Sequence, residues 1–419
     1  MSITTDKSRF FQSSDALHAD TRRARKAANT RGAPIPVGSK ILALLDDPTS
    51  PDHVFVAESA GLARRLQLSS GSKGSHTYRG HTAPVTALAL SPAADTLYTS
   101  SWDKSILAFD VPTRSLLRRF QDAHTDFIKC LLYLPPLPPA TAAATAAATA
   151  DSPGLLLSGS SDSTISIYNP HTTKLLSKLS SHSRAVLCLA LDPAPPLAAP
   201  TPSYTVLSGS SDREIRTWTV PASGSLPPSE ASPPLTPHET SIYCMHLPPS
   251  DPGHLYTASA DRTALHLQLN PPPNPPSVVD TLPHPDFVTA IILAGFSSDD
   301  ADADAKYIVT ACRDEHVRLW DRATAELVCV FEGHFDEVTS LCAVGARGWT
   351  VVSAGIDGTV RRWGVRPAEV EAVVALEKDA RRAGSGEQEL QEDFGGGKKQ
   401  GMLTQEEERE LAELMESSD

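Results

Sequence analysis

Imidazole and carboxylate side chains move protons and bind metals near neutral pH, and in this chain they recur in a fixed local setting. His81, His124, His182, His238, His284 and His334 are each followed, four residues on, by Val85, Ile128, Val186, Ile242, Val288 and Val338. Each histidine is answered by an aspartate in a short polar turn: Asp103, Asp162, Asp212, Asp261, Asp314 and Asp357. Six residues past each aspartate stands a large apolar or aromatic residue: Phe109, Tyr168, Trp218, Leu267, Trp320 and Trp363. A general acid–base or metal centre gathers different residues at one point. Copies spread from residue 81 to residue 363 instead describe one supersecondary unit repeated. No Gly-rich phosphate loop, G-x-S-x-G elbow or H-E-x-x-H pair accompanies them. The six cysteines lack the short paired spacings of a zinc or disulfide framework. Cys130, Cys188 and Cys244 each fall six residues after their histidine, where other copies carry Ala87, Ala290 and Ser340. That position asks for a small side chain rather than a ligand. The expectation is a protein with no catalytic residues, cofactor, metal or small-molecule substrate.

The unit that holds these residues reads as four strands. In residues 79–120, the runs Val85–Leu90, Thr96–Ser100, Ser105–Phe109 and Leu116–Phe120 have strand length and are separated by polar turns. Four antiparallel strands repeated around a ring make a propeller blade. A blade buries its faces only against its neighbours, which accounts for apolar residues at both parities of the first strand. The pattern resembles the WD-repeat β-propeller family, whose repeats begin with Gly-His, here Gly80-His81 and Gly333-His334, and end the third strand with Trp-Asp, here Trp320-Asp321. Other copies depart to Phe109-Asp110, Tyr168-Asn169, Trp218-Thr219 and Trp363-Gly364, and the Leu267 copy has lost its ring. The resemblance implies that the histidine and aspartate of each blade hydrogen-bond to each other, helped by a strand Ser or Thr and the Trp. These residues are then structural.

Six clear copies leave residues 38–78, in which apolar runs are broken by Asp-Asp-Pro and Glu-Ser-Ala-Gly; this stretch reads as a seventh unit without its His and Trp. The expected fold is all-β, a seven-bladed β-propeller of four-stranded antiparallel blades, with a flexible N-terminal arm and an acidic C-terminal tail. The arm is placed at 1–37, the propeller at 38–367 and the tail at 377–419. The units are placed at approximately 38–78, 79–122, 123–180, 181–236, 237–282, 283–332 and 333–376. Either the segment before residue 38 or Val370–Leu376 could supply the missing outer strand that closes the ring. Pro-rich stretches at 135–153, 193–202, 221–237 and 271–277 and an acidic one at 299–304 read as loops.

By the same resemblance, the loop after each histidine and the turn of each aspartate share one rim. Trp102 and Arg313 stand one residue before Asp103 and Asp314, where the other copies carry Ser161, Ser211, Ala260 and Ile356. Asp126, Phe127, Arg184, Asp286, Phe287, Phe335 and Asp336 join them from the loops. Aromatics and arginines are common interface anchors, so these nine residues form a candidate partner-binding rim.

Net charge is −13, and the stretch 387–419 carries eleven acids against three bases. An acidic body disfavours broad binding to nucleic acid. The N-terminal 31 residues, by contrast, hold seven Lys or Arg, with RRARK at 22–26, so residues 22–31 could touch RNA. In the tail, Thr404 and Glu407 form a capping-box pattern ahead of a thin stripe, Leu411, Leu414 and Met415, and a short amphipathic helix is expected near 404–416. No apolar run is long enough to span a membrane, the start lacks a secretory hydrophobic region, and free thiols fit a reducing compartment, cytoplasmic, nuclear or both. The expected function is a non-catalytic scaffold or adaptor in an intracellular complex, with proteins or peptides as partners. The alternatives are a ribonucleoprotein or ribosome-assembly subunit using the basic arm and a ubiquitin-ligase substrate receptor. For the last, Trp320-Asp321-Arg322 falls one residue short of the Trp-Asp-x-Arg pattern.

Overall fold

The computed structural model describes residues 28–70, 76–120, 124–137, 154–193, 202–222, 227–269, 276–296, 304–345, 347–376 and 378. The basic run 22–26, most of the Ala-Thr insert and the helix expected at 404–416 lie outside these residues. Within them, strands form seven four-stranded antiparallel sheets. Their inner strands are Ile41–Asp46, Val85–Leu90, Ile128–Leu134, Val186–Asp192, Ile242–His246, Val288–Phe296 and Val338–Val344. Each inner strand packs beside the next, and the first packs beside the last, so the sheets are the blades of a closed ring. We number the blades 1 to 7 in that order. The stretch that lacks the repeat His and Trp is blade 1, as its apolar runs indicated.

The core lies between blades, not within them. Tyr98 and Phe120 of blade 2 pack with Ile128, Leu156 and Tyr168 of blade 3. Blade 1 meets blade 7 through Ile41, Leu44 and Val54 against Cys342, Val352 and Val360. This explains why the inner strands bury side chains of both parities. Cys130 and Cys188 reach the carbonyls of Val186 and Ile242 in the following blade, and a Cβ on Gly159 or Gly209 would meet their sulfurs at 2.6 and 2.7 Å. The position six past each histidine is therefore a tight inter-blade contact. Burial pushes the Cys130 thiol up to about 12, which leaves it protonated and unreactive.

The ring closes through the N-terminal segment. Ile35 and Pro36 pair with Val360 and Thr359 as the outer strand of blade 7. Residues 367–376 are a helix, so they cannot supply that strand. This corrects the placement of 1–37 as a flexible arm: its last residues belong to the propeller. Ile35 and Val37 are buried in the blade 7–blade 1 core. Ahead of them, the Gly32 carbonyl accepts from Arg362 N–H at 2.7 Å. Gly32 has φ +72° and lies so close to the Trp363 ring that a Cβ would sit 2.7 Å from it, so only glycine fits. Arg361 is fully buried and donates through Nη1 to the carbonyls of Asn29 and Arg31.

Candidate functional site

The repeated histidines and aspartates form hydrogen-bonded chains that tie each blade's loop to its strands. In blade 4, Trp218 Nε1–H donates to Ser208 Oγ at 2.8 Å, Ser208 donates to His182 Nε2 at 2.7 Å, and His182 Nδ1–H donates to Asp212 at 3.0 Å. The direction follows from chemistry, since an indole only donates and an ionised carboxylate only accepts. Blade 7 repeats the chain with Trp363, Ser353, His334 and Asp357. Blades 2, 3 and 5 keep it without the indole, through His81–Asp103, His124–Asp162 and His238–Asp261. The aspartates also accept the backbone N–H of Thr82, Thr125, Ser183, Glu239 and Phe335. Burial alone would raise these carboxyls, but the hydrogen bonds from histidine, hydroxyl and backbone outweigh it and hold them below the usual range. Burial likewise keeps His124 and His182 neutral, and a neutral, fully satisfied imidazole is a structural device. The ligand atoms of His182, Asp212 and Glu214 lie within 4.8 Å of one another. Asp212 is committed to His182, however, and Glu214 to Arg216 at 2.6 Å.

Blade 6 departs from the pattern, and the His284–Asp314 pair expected from the sequence is not formed. His284 Nδ1–H donates to Leu282 O at 2.9 Å, while Nε2 still accepts from Thr310, which Trp320 Nε1–H supports at 2.9 Å. Asp314 instead pairs with Arg318, four residues on, and accepts from His316 N–H. Arginine also occupies this position in blades 4 and 7, but there Glu214 and Glu230, or the carbonyls of Asn29 and Arg31, take it up. In blade 6 the Arg318 guanidinium donates through both Nη1 and Nη2 to the two oxygens of Asp314. Blade 1 lacks the whole chain. Buried Val37, Val56 and Leu66 stand where histidine, hydroxyl and ring would be, and Ala60 where the aspartate would be. Replacing all four avoids a half-satisfied buried network.

With these residues assigned to structure, the rim stands out. In all seven blades the residue before the aspartate position donates its N–H to the carbonyl three past the histidine position. The donors are Ser59, Trp102, Ser161, Ser211, Ala260, Arg313 and Ile356, and the acceptors are Lys40, Pro84, Phe127, Ala185, Ser241, Phe287 and Glu337. Trp102 of blade 2 is 37% exposed and stacks on Phe127 of blade 3, itself 40% exposed, with ring centroids 5.3 Å apart. Arg313 lies over the Phe287 ring at 5.2 Å. Asp126 and Asp286 cap the N–H groups of Phe127 and Phe287, and Asp336 that of Glu337. Arg184 is exposed, and its carbonyl accepts from Ser210 Oγ. Phe335 is half-buried, with its N–H on Asp357.

Two further rim residues escaped the sequence reading. Every inner strand begins with a β-bulge, at Ile41/Ala43, Val85/Ala87, Ile128/Cys130, Val186/Cys188, Ile242/Cys244, Val288/Ala290 and Val338/Ser340. The bulged residue is five past the histidine position, and bulges re-aim side chains. Thr86, Thr289 and Thr339 there donate to the first carbonyl of the next inner strand. Blade 3 carries Lys129 instead, its Nζ 5.4 Å from the Trp102 ring, and blade 5 carries Tyr243, 37% exposed. Burial raises Glu337 and Tyr243, and both also feel Arg313, which draws blades 5, 6 and 7 into one electrostatic cluster. The signal was present at a repeat position where Thr or Leu is usual. Arg322 spans to blade 5, pairing with Asp251 and donating to Tyr256 Oη at 3.0 Å.

A closed ring of four-stranded blades tied by His–Asp turns defines a repeat propeller whose recurrent polar residues serve the fold. The model of the WD domain, G-beta repeat, matches residues 72–110, 173–219, 277–321 and 325–364. A WD repeat-containing protein of Schizosaccharomyces pombe is 30% identical over 374 residues, which cover 86% of this chain and 89% of that protein. The chain belongs to the WD-repeat family. It is also similar to p21-activated protein kinase-interacting protein 1-like of Xenopus laevis, 25% identical over 73% of this chain and 70% of that protein. The ribosome biogenesis protein YTM1 of Coccidioides immitis is 29% identical over 42% of this chain, which spans 34% of that protein. Among the described residues, no helix is long and apolar enough to cross a membrane.

Proposed function

We propose that the protein is a non-catalytic scaffold that holds a partner protein on the rim carrying Trp102 and Arg313. One observation carries this reading: large aromatic and cationic side chains occupy rim positions, before the aspartate and at the bulge, that the fold fills elsewhere with Ser, Ala, Ile, Thr or Leu. Trp102 and Phe127 form an exposed stacked pair with a lysine over it, and Arg313 caps a second ring. Such anchors can each contribute about 2 kcal/mol or more to an interface. The double substitution Trp102→Ala with Arg313→Ala is expected to keep the melting temperature and to strip specific partners from an affinity purification read by mass spectrometry. Recovery of the same partners in the same amounts would move the interface elsewhere.

A second reading places the complex in ribosome assembly, with a nuclear site of action. It is supported by the similarity to YTM1 over part of the chain and by the basic run at 22–26. In that case the partners recovered are ribosome-assembly proteins, and RNA contact falls to the arm.

A further inference from the structure

The charges on the rim are sorted by blade. Consider, in each blade, the three residues after the histidine position, the bulged residue, and the residues before and after the aspartate position, the last of which has a left-handed backbone in all seven blades. In blades 1 to 4 these positions hold Lys40, Lys104, Lys129, Arg184 and Arg213 against one acid, Asp126, a net of +4 (5 − 1). In blades 5 to 7 they hold Glu239, Asp286, Glu315, Asp336 and Glu337 against Arg262 and Arg313, a net of −3 (2 − 5). The aspartates themselves, committed within their own turns, are left out; counting them lowers each half by three, to +1 (5 − 4) and −6 (2 − 8). The two groups are contiguous around the ring, because blade order follows the chain. A basic half with the Trp102–Phe127 stack thus faces an acidic half with Tyr243 and Phe287 across the axis. In a chain of net charge −13 a basic half-rim is not what average composition supplies.

We propose that this face binds an extended peptide segment of a protein partner with segregated charge: acidic residues lie over blades 1 to 4, basic residues over blades 5 to 7, and apolar side chains reach the aromatics between. The proposal rests on the rim being the partner-binding surface. Complementary potentials on both halves fix the direction in which the segment lies and reject its reverse. A uniform polyanion such as RNA satisfies the basic half but is repelled by the acidic one. A segment of opposite sign at its two ends satisfies both.

The test uses the full chain and three fluorescent probes at low ionic strength, where exposed charges are least screened. Two are peptides of one composition, with Glu and Lys either in separate blocks flanking an apolar spacer or alternating along the chain; the third is a short oligouridylate. Anisotropy is expected to show the block peptide binding about tenfold more tightly than the other two. Lys104→Glu with Arg184→Glu, and separately Asp286→Lys with Asp336→Lys, are each expected to remove that preference in a chain that still unfolds cooperatively, at a melting temperature lowered by the lost bond to the Thr125 carbonyl or the lost caps of Phe287 and Glu337. Equal binding of block and alternating peptides by the wild-type chain overturns the proposal, as does tightest binding of the oligouridylate that Lys104→Glu with Arg184→Glu abolishes, since binding by the basic arm would survive that change. If both charge reversals leave the preference intact, it also fails. The rim reading then still stands or falls separately, on the partner loss expected for Trp102→Ala with Arg313→Ala.

Discussion

Removing the Asp261 carboxylate leaves His238 Nδ1–H, in a buried site, only the Thr263 hydroxyl at 3.4 Å, whereas removing Asp314 leaves His284 satisfied by Leu282 and strands Arg318 instead. A lost buried partner costs roughly 1–3 kcal/mol in either case, but the coupling differs. A double-mutant cycle on Asp314 and Arg318, read by denaturant unfolding, is expected to give a coupling of about 0.5–3 kcal/mol, and one on Asp314 and His284 close to zero. Coupling on the second pair alone would restore the repeat bond that the structure lacks. The buried imidazoles also set the acid limit. Burial lowers His124 and His182 and pushes His284 down to about 4, while the unfolded chain takes up protons near pH 6.5. The unfolded state therefore binds more protons below that pH, and stability falls as pH drops from about 6.5 toward 4. His316, raised by its bond to Asp314, offsets part of this. The depressed aspartates add a second loss below their unfolded value of about 3.8. The melting temperature is expected to be flat above about pH 7 and to decline from about 6.5 downward; a constant value down to pH 5 would contradict the neutral-histidine chains.

At the scale of elements, the strap 28–37 does the most for its length. It supplies the outer strand of blade 7, the carbonyls that hold fully buried Arg361, and the glycine against Trp363. Deleting residues 1–27 is expected to leave thermal unfolding unchanged, whereas deleting 1–34 leaves a buried guanidinium without its acceptors and lowers the melting temperature. Equal melting of the two would mean that the strap is not part of the fold. The shorter deletion is also the one on which RNA binding by the basic run can be measured without disturbing the ring. Blade number and strand positions were legible in the sequence because the offsets of four and six survive wherever strand pairing fixes them. The closing strand was not, since two residues, Ile35 and Pro36, carry no period. Nor was the turn of Asp314 toward Arg318, because arginines stand at the same position in blades 4 and 7 and only their surroundings decide what each one binds.

At the scale of the whole molecule, seven near-equivalent blades make any departure from the repeat informative. At the position before the aspartate and at the bulge, the ring otherwise carries Ser, Ala, Ile, Thr or Leu; Trp102, Lys129, Tyr243 and Arg313 break that habit on one rim. Lys129 and Tyr243 were missed in the sequence because the bulge that turns them outward follows from strand pairing, not from apolar periodicity. Other exposed apolar residues, Leu116, Leu175, Val278 and Leu327, lie on outer strands. They provide an internal reference. Hydroxyl-radical footprinting of the free protein and of its purified complex would measure both sets in one sample. Oxidation of Trp102, Phe127 and Tyr243 is expected to fall several-fold in the complex while Leu116, Leu175, Val278 and Leu327 react as before. Unchanged oxidation of the three rim aromatics, with protection on the outer strands, would contradict the account.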